Sequence, residues 1–280
     1  MQGLRGGAVA GGRGKQRLLT RVIARSALVP VLAQPSLRAE RVSWLVLGET
    51  ARLDHREGEW CRITADLDGY SGWVHAGYVL EAGAEAADRW REDAGGWSLG
   101  AELRVGGRRL ALPLRARVAL EAGGLRLPDG RIAELAEGEV PPAARNAAAA
   151  RAMAPERWAL ERFEGAPYEW GGVTPWGVDC SGLVQTVFAS RGTPLPRDAA
   201  LQVERGTVVA PDDVRPGDLL FFRGDSGDRI THVAFAAEED TLIHSTVACG
   251  GVLRESWVPG TRAAALRERL VAVRRLEERG

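Results

Sequence analysis

From Arg21 to about Leu80, short β-branched and aromatic runs are broken by glycine and aspartate. The run Trp60-Cys61-Arg62-Ile63-Thr64, the turn Asp68-Gly69 and the run Tyr70-Ser71-Gly72-Trp73-Val74-His75 predict a hairpin within a small β-barrel spanning 21–82. The theme returns more weakly in Arg115–Leu120, with turns at Gly123-Gly124 and Pro128-Asp129-Gly130, so a second barrel is expected over 83–140. Pro141-Pro142 and an alanine-rich run then mark a linker that becomes helical, opening a last domain over 141–280. There the pattern predicts a helix from Pro155 through Phe163, a glycine-rich loop from Gly165 to Gly177 and a helix from Cys180 to Arg191. Gly192 and Pro194 stop that second helix, and strands follow at 218–223, 232–237 and 241–247. The fold class is therefore α+β, helices first and then an antiparallel meander, preceded by two small barrels. Residues 1–20 read as a disordered tail.

Composition narrows the function. With 45% hydrophobic residues in 280, a formal net charge of zero and no block of like charges, recognition of nucleic acid or of an anionic membrane through bulk charge is not expected. A pocket should do the recognising. Three cysteines without CxxC spacing fit neither a disulfide framework nor a structural zinc site, and a reducing compartment is the simpler reading. The segment Leu18–Gln34 is interrupted by Arg21 and Arg25, which leaves no secretory h-region and no membrane-length run. A cytoplasmic monomer is expected, with secretion as the alternative.

Chemistry concentrates in the last domain. Leu183, Val184, Val187 and Phe188 form one apolar stripe after Cys180, which puts that cysteine at a helix N-terminus, where the dipole and free N–H groups favour thiolate. Gly171, Gly172, Gly177 and Gly182 around it are expected to let a substrate backbone approach. Cys61 and Cys249 open no helix and should be inert core residues. A thiolate needs a base, and the base an orienting partner. Of four histidines, His55 and His75 fall in the first barrel as ordinary strand residues, whereas His232 and His244 lie on consecutive strands joined by Glu238-Glu239-Asp240. If that hairpin pairs Ala236 with Leu242, then Ala234 pairs with His244 and both imidazoles share a face. His232 becomes the general base and His244 its orienter. A Cys/His/His zinc site is the other chemical possibility and ranks lower, because a ligating cysteine needs no helix N-terminus. No metal or cofactor is expected.

Five ordered segments, Pro167-Tyr168-Glu169-Trp170-Gly171-Gly172, Asp179-Cys180-Ser181-Gly182, Pro216–Phe222, Thr231-His232-Val233 and Ile243-His244, resemble the NlpC-type peptidase family, a compact papain-like fold. The resemblance covers about 145–280 and implies a Cys180, His232, His244 triad with Tyr168 beside the nucleophile. The upstream barrels resemble bacterial SH3-like modules, and the combination resembles the dipeptidyl-peptidase VI branch. Those enzymes are γ-D-glutamyl-L-diamino-acid endopeptidases of murein recycling that demand a free N-terminal L-alanine, so the implied partner is a murein tripeptide. Asp179, next to the thiolate, would oppose ionisation unless it meets a cation, and a substrate ammonium is the natural candidate. By resemblance Asp179 and Ser181 bind that amine, Arg197 reaches the substrate's carboxylate side, and the first barrel closes the site through Tyr70 and Glu40. The branch often has a serine where this chain has Ala199. Two rivals are a secreted hydrolase of intact wall with the barrels as wall-binding modules, and a non-catalytic scaffold on a dead peptidase domain.

Overall fold

A computed structural model describes residues 20–225 and 227–277. The tail expected over 1–20 lies outside the described residues except for Thr20, which opens the first strand.

The first module is an antiparallel sheet of β1 (Thr20–Ala24), β2 (Leu28–Leu32), β3 (Arg41–Val46), β4 (Thr50–Glu57), β5 (Trp60–Ala65), β6 (Ser71–His75) and β7 (Val79–Gly83), in the order β3-β2-β6-β5-β4-β1-β7. Alternation drives it: Val22, Val29, Val31, Ile63 and Val74 point into one core. The expected turn joins β5 and β6, with Gly69 at φ +72° and the Tyr70 N–H donating to Asp68 Oδ1 at 2.9 Å. Cys61 is buried in this core as expected, and burial raises its thiol pKa. Cys249 is exposed instead, because it ends a single 3-10 turn (Val247–Cys249) after a catalytic-domain strand, with no buried residue in that turn.

Helix α1 (Ala84–Asp93) follows, and the strand pattern did not predict it. It buries only Ala87 and Trp90, whose indole donates to Gly48 O at 2.8 Å. The second barrel, β8 (Gly96–Val105), β9 (Arg108–Glu121), β10 (Gly124–Arg126) and β11 (Ile132–Gly138), closes in the order β10-β11-β8-β9. Its core of Leu103, Leu112, Val118 and Leu127 is shared with Val46 and Leu47 of the first barrel and Val173 of the last domain, so the three modules pack as one body.

The last domain adds α2 (Ala143–Ala152), α3 (Pro155–Phe163), a two-residue hairpin of β12 (Val173–Thr174) and β13 (Gly177–Val178), α4 (Cys180–Ser190) and α5 (Ala199–Gln202). Then come β14 (Thr207–Val208), β15 (Leu219–Arg223), β16 (Ile230–Ala237), β17 (Thr241–Thr246), β18 (Gly251–Ser256) and β19 (Leu270–Arg275), in the order β14-β19-β15-β16-β17-β18. The unbroken apolar run Leu219–Phe222 is explained by burial on both faces. Leu219 and Phe221 meet Leu183, Val187 and Phe188 of the helices, while Leu220 and Phe222 meet Trp257 and Val273. Each such side chain contributes about 1.5–3 kcal/mol by leaving water.

Helix α4 departs from the amphipathic expectation, since every residue of it is buried. The barrels cover its polar side. Thr186 Oγ1 donates to Val173 O at 2.7 Å, Gln185 Nε2 to Asp68 Oδ2 at 2.7 Å, and Arg115 of β9 reaches Gln185 Oε1 at 3.2 Å and Thr186 Oγ1 at 3.1 Å. Arg115, at φ +80° and 2% exposed, also pairs with Glu49 of the first barrel at 2.6 Å. One guanidinium thus ties α4 to both barrels.

Candidate active site

Cys180 opens α4 as expected, and Asp179 caps the helix by accepting the Gly182 N–H at 2.7 Å. The Asp179 carboxylate also accepts from Gly171 N–H at 2.9 Å and Ser181 Oγ at 3.1 Å. Its cation is internal: Arg197, 2% exposed, meets Asp179 Oδ2 at 2.5 Å and Oδ1 at 3.1 Å. Arg197 further donates to Ser181 Oγ at 2.8 Å and, across the module boundary, to Ser43 Oγ of β3 at 3.1 Å. From the sequence a substrate ammonium is the expected cation for Asp179, and the family resemblance implies that Arg197 reaches the substrate's carboxylate. In the structure each already satisfies the other, and both are buried.

The glycines also do something other than expected. A Cβ on Gly182 would lie 2.0 Å from Gly172 O, one on Gly172 2.3 Å from Gly177 O, and one on Gly171, at φ +78°, 2.8 Å from Arg41 O. These positions let chain meet chain, and Gly171 lets the catalytic loop touch β3 of the first barrel.

Cys180 is 7% exposed, and its sulfur accepts backbone N–H bonds from Val233 and Ser181. Burial, reinforced by the adjacent Asp179 carboxylate, pushes the thiol up to about 12 despite those donors and Arg197. Burial and the neighbouring carboxylate thus work against the thiolate that the helix N-terminus favours. The helix N-terminus is spent on Asp179, whose negative charge offsets the dipole. Tyr168 stands near Cys180, anchored by its N–H to Gly250 O at 2.8 Å; burial first, then Cys180 and Asp179, raise its hydroxyl to about 12.

The hairpin of β16 and β17 pairs Ala236 with Leu242 as expected, but the ladder ends at Phe235 and Ile243, one step short of joining Ala234 to His244. The imidazoles nevertheless meet, with His232 Nε2 and His244 Nδ1 2.8 Å apart. Phe222 packs on His232 with ring centroids 5.8 Å apart. Burial, with His244 and Arg262 nearby, holds His232 down at about 3, and burial with Arg262 holds His244 at about 4. Thiol and imidazoles are therefore uncharged at neutral pH. Beyond His244 lies a carboxylate that sequence reasoning missed: Glu255 Oε2 is 3.1 Å from His244 Nε2, and Glu255 Oε1 takes Arg262 Nε at 2.8 Å. Only the register of β18 reveals it. Among the described residues no group of three His, Cys, Asp or Glu side chains has metal-holding geometry.

The first barrel reaches this site at several points. Glu40 Oε1 accepts the Trp170 indole N–H at 2.7 Å, Arg41 pairs with Glu169 at 2.5 Å, and Tyr70 lies within electrostatic range of Asp198, Arg197, Asp68 and Asp179. Asp198 is the second residue the sequence argument passed over. It precedes α5 without capping it, and burial, with Asp179 and Asp68 nearby, raises its carboxyl pKa against the pull of Arg197. His55 and His75 stay in the barrel, His55 edge-on to Trp73 and His75 accepting the Gly77 N–H at 3.1 Å.

Residues 165–274 match the NlpC/P60 family and residues 27–79 the bacterial SH3 domain. A γ-D-glutamyl-L-lysine dipeptidyl-peptidase of Bacillus subtilis is 42% identical over 84 residues, which is 30% of this chain and 28% of that protein. A probable endopeptidase NlpC of Escherichia coli is 39% identical over 98 residues, 35% of this chain and 63% of that protein. The matches thus span less than two thirds of either relative. The crystal structure of an NlpC/P60 family protein from Bacillus cereus superposes with a TM-score of 0.75 at 22% identity, covering 91% of this chain and 99% of the other. The chain carries an NlpC/P60 domain preceded by a bacterial SH3 domain and a second small barrel.

Proposed function

From an NlpC/P60 domain joined to a bacterial SH3 domain, we propose a cysteine endopeptidase, acting as a monomer, that hydrolyses the γ-D-Glu–diamino acid bond of murein peptides bearing a free N-terminal L-alanine. Cys180 attacks the γ-carbonyl carbon while His232 takes the thiol proton, so the thiolate exists only as the C–S bond forms. Backbone N–H groups at the start of α4 stabilise the oxyanion. His232 returns the proton to the leaving amine of the diamino acid, and the thioester is then cleaved by a water that His232 deprotonates. Tyr168 borders the nucleophile.

The observation that carries the reading is the acidic corner where the first barrel meets the catalytic domain, with Asp68 and Tyr70 on one side and Asp198 on the other. An ammonium suits that corner, and Asp198 takes the role that the sequence argument gave Asp179, whose charge is already neutralised by Arg197. The names of the Bacillus relatives, γ-D-glutamyl-L-lysine dipeptidyl-peptidases, fit the same bond. Barrels that share a core with the catalytic domain favour a groove-restricting role over a wall tether.

The test compares L-Ala-γ-D-Glu-diaminopimelate with its N-acetylated form. Acetylation should lower kcat/KM by about 100-fold, equivalent to about 2.8 kcal/mol. Equal cleavage of both peptides, or digestion of purified sacculi, would favour the rival wall hydrolase.

A further inference from the structure

We propose that Glu255, held by Arg262, is the positioning residue that fixes the tautomers of both imidazoles and so leaves Nδ1 of His232 open as the base. The inference rests on the catalytic reading of His232 and His244.

Arg262 contacts both oxygens of Glu255, Nε to Oε1 at 2.8 Å and NH2 to Oε2, so the group is a carboxylate and can only accept. Its 3.1 Å contact with His244 Nε2 therefore requires a proton on that nitrogen. A neutral imidazole has a single N–H, so Nδ1 of His244 is an acceptor. The ring nitrogen facing it at 2.8 Å, Nε2 of His232, must then be the donor. Only Nδ1 of His232 retains a lone pair. Burial keeps both rings neutral, which makes this accounting complete at physiological pH.

Without Glu255 the reversed chain is equally allowed: Nδ1–H of His244 donates to Nε2 of His232, and the proton of His232 sits on Nδ1, where it blocks the base. The fold holds Glu255 firmly. Its side chain is 13% exposed, against 44% for Arg262 and 1% for His244. His244 pairs with Leu253 across the β17–β18 ladder, so Glu255, two residues on, is its diagonal neighbour on the same face of the sheet.

The experiment uses the full-length protein labelled with 15N-histidine, read by long-range proton–nitrogen spectra at neutral pH. Both His232 and His244 should carry their proton on Nε2. A proton on Nδ1 of His244 overturns the proposal. In Glu255→Gln, either amide orientation sets a donor against Arg262, and one of them sets a donor against His244; a population protonated on Nδ1 of His232 should appear. Peptide cleavage should lose about 10- to 100-fold in kcat, with KM within about twofold. Arg262→Gln, at a more exposed position, should show a smaller loss of the same kind. Wild-type kcat in Glu255→Gln contradicts the proposal, and if that variant does not fold the wild-type spectrum alone decides. The spectrum needs no substrate, so it tests the tautomers even if the peptide assignment is wrong.

Discussion

Replacing Arg197 with methionine should be among the most damaging single changes in the chain, for a reason that has nothing to do with substrate. The guanidinium is 2% exposed and holds Asp179 through contacts of 2.5 and 3.1 Å, together with Ser181 and Ser43. Methionine fills most of the volume but leaves a buried carboxylate, its side chain 5% exposed, with three neutral donors and no cation. Breaking a buried pair from one side costs about 3–5 kcal/mol. At about 2–4 °C per kcal/mol for a chain of this size, the melting temperature should fall by about 6–20 °C. Scanning calorimetry of wild type, Arg197→Met and the double variant Arg197→Met/Asp179→Asn measures this. The double variant should recover part of the loss, because it removes the stranded charge while keeping a side-chain oxygen to cap α4. A fall below about 3 °C, or a double variant no better than the single one, would refute the claim that Arg197 is the counter-ion of Asp179.

Two further outcomes follow from the geometry. Gly171→Ala puts a Cβ 2.8 Å from Arg41 O at a residue with φ +78°, and should destabilise by about 1–3 kcal/mol while loosening the first barrel from the catalytic loop; unchanged melting would remove the need for glycine there. The buried imidazoles titrate at about 3 and about 4 in the fold and near 6.5 when unfolded, so between pH 4 and 6.5 the unfolded chain binds more protons. Stability should therefore rise with pH across that window by up to about 1.4 kcal/mol per pH unit per ring, and a flat profile in calorimetric scans would contradict their burial.

The elements that bear the site were readable because local rules and global fold agree there. The apolar spacing after Cys180 and the polar turn at Glu238–Asp240 set a helix start and a hairpin whatever surrounds them. What escaped depends on register or on distant partners. Helix α1 buries only two side chains, so its polar sequence carries little apolar period. Arg115 looks like an alternating strand residue, yet its left-handed backbone and its links to Glu49 and α4 arise only when three modules close on it. Asp179 invited a cation without saying that Arg197, 18 residues on, supplies it. The thiol's high pKa is likewise a property of the packed site, since burial outweighs the helix end that the sequence displays.

All of this depends on the sulfur of Cys180 being the nucleophile. The most direct test is turnover of L-Ala-γ-D-Glu-diaminopimelate by Cys180→Ala beside the wild-type protein, with melting curves for both. The account expects an unchanged fold and no cleavage above the uncatalysed rate. Cleavage by the alanine variant at the wild-type rate would contradict it.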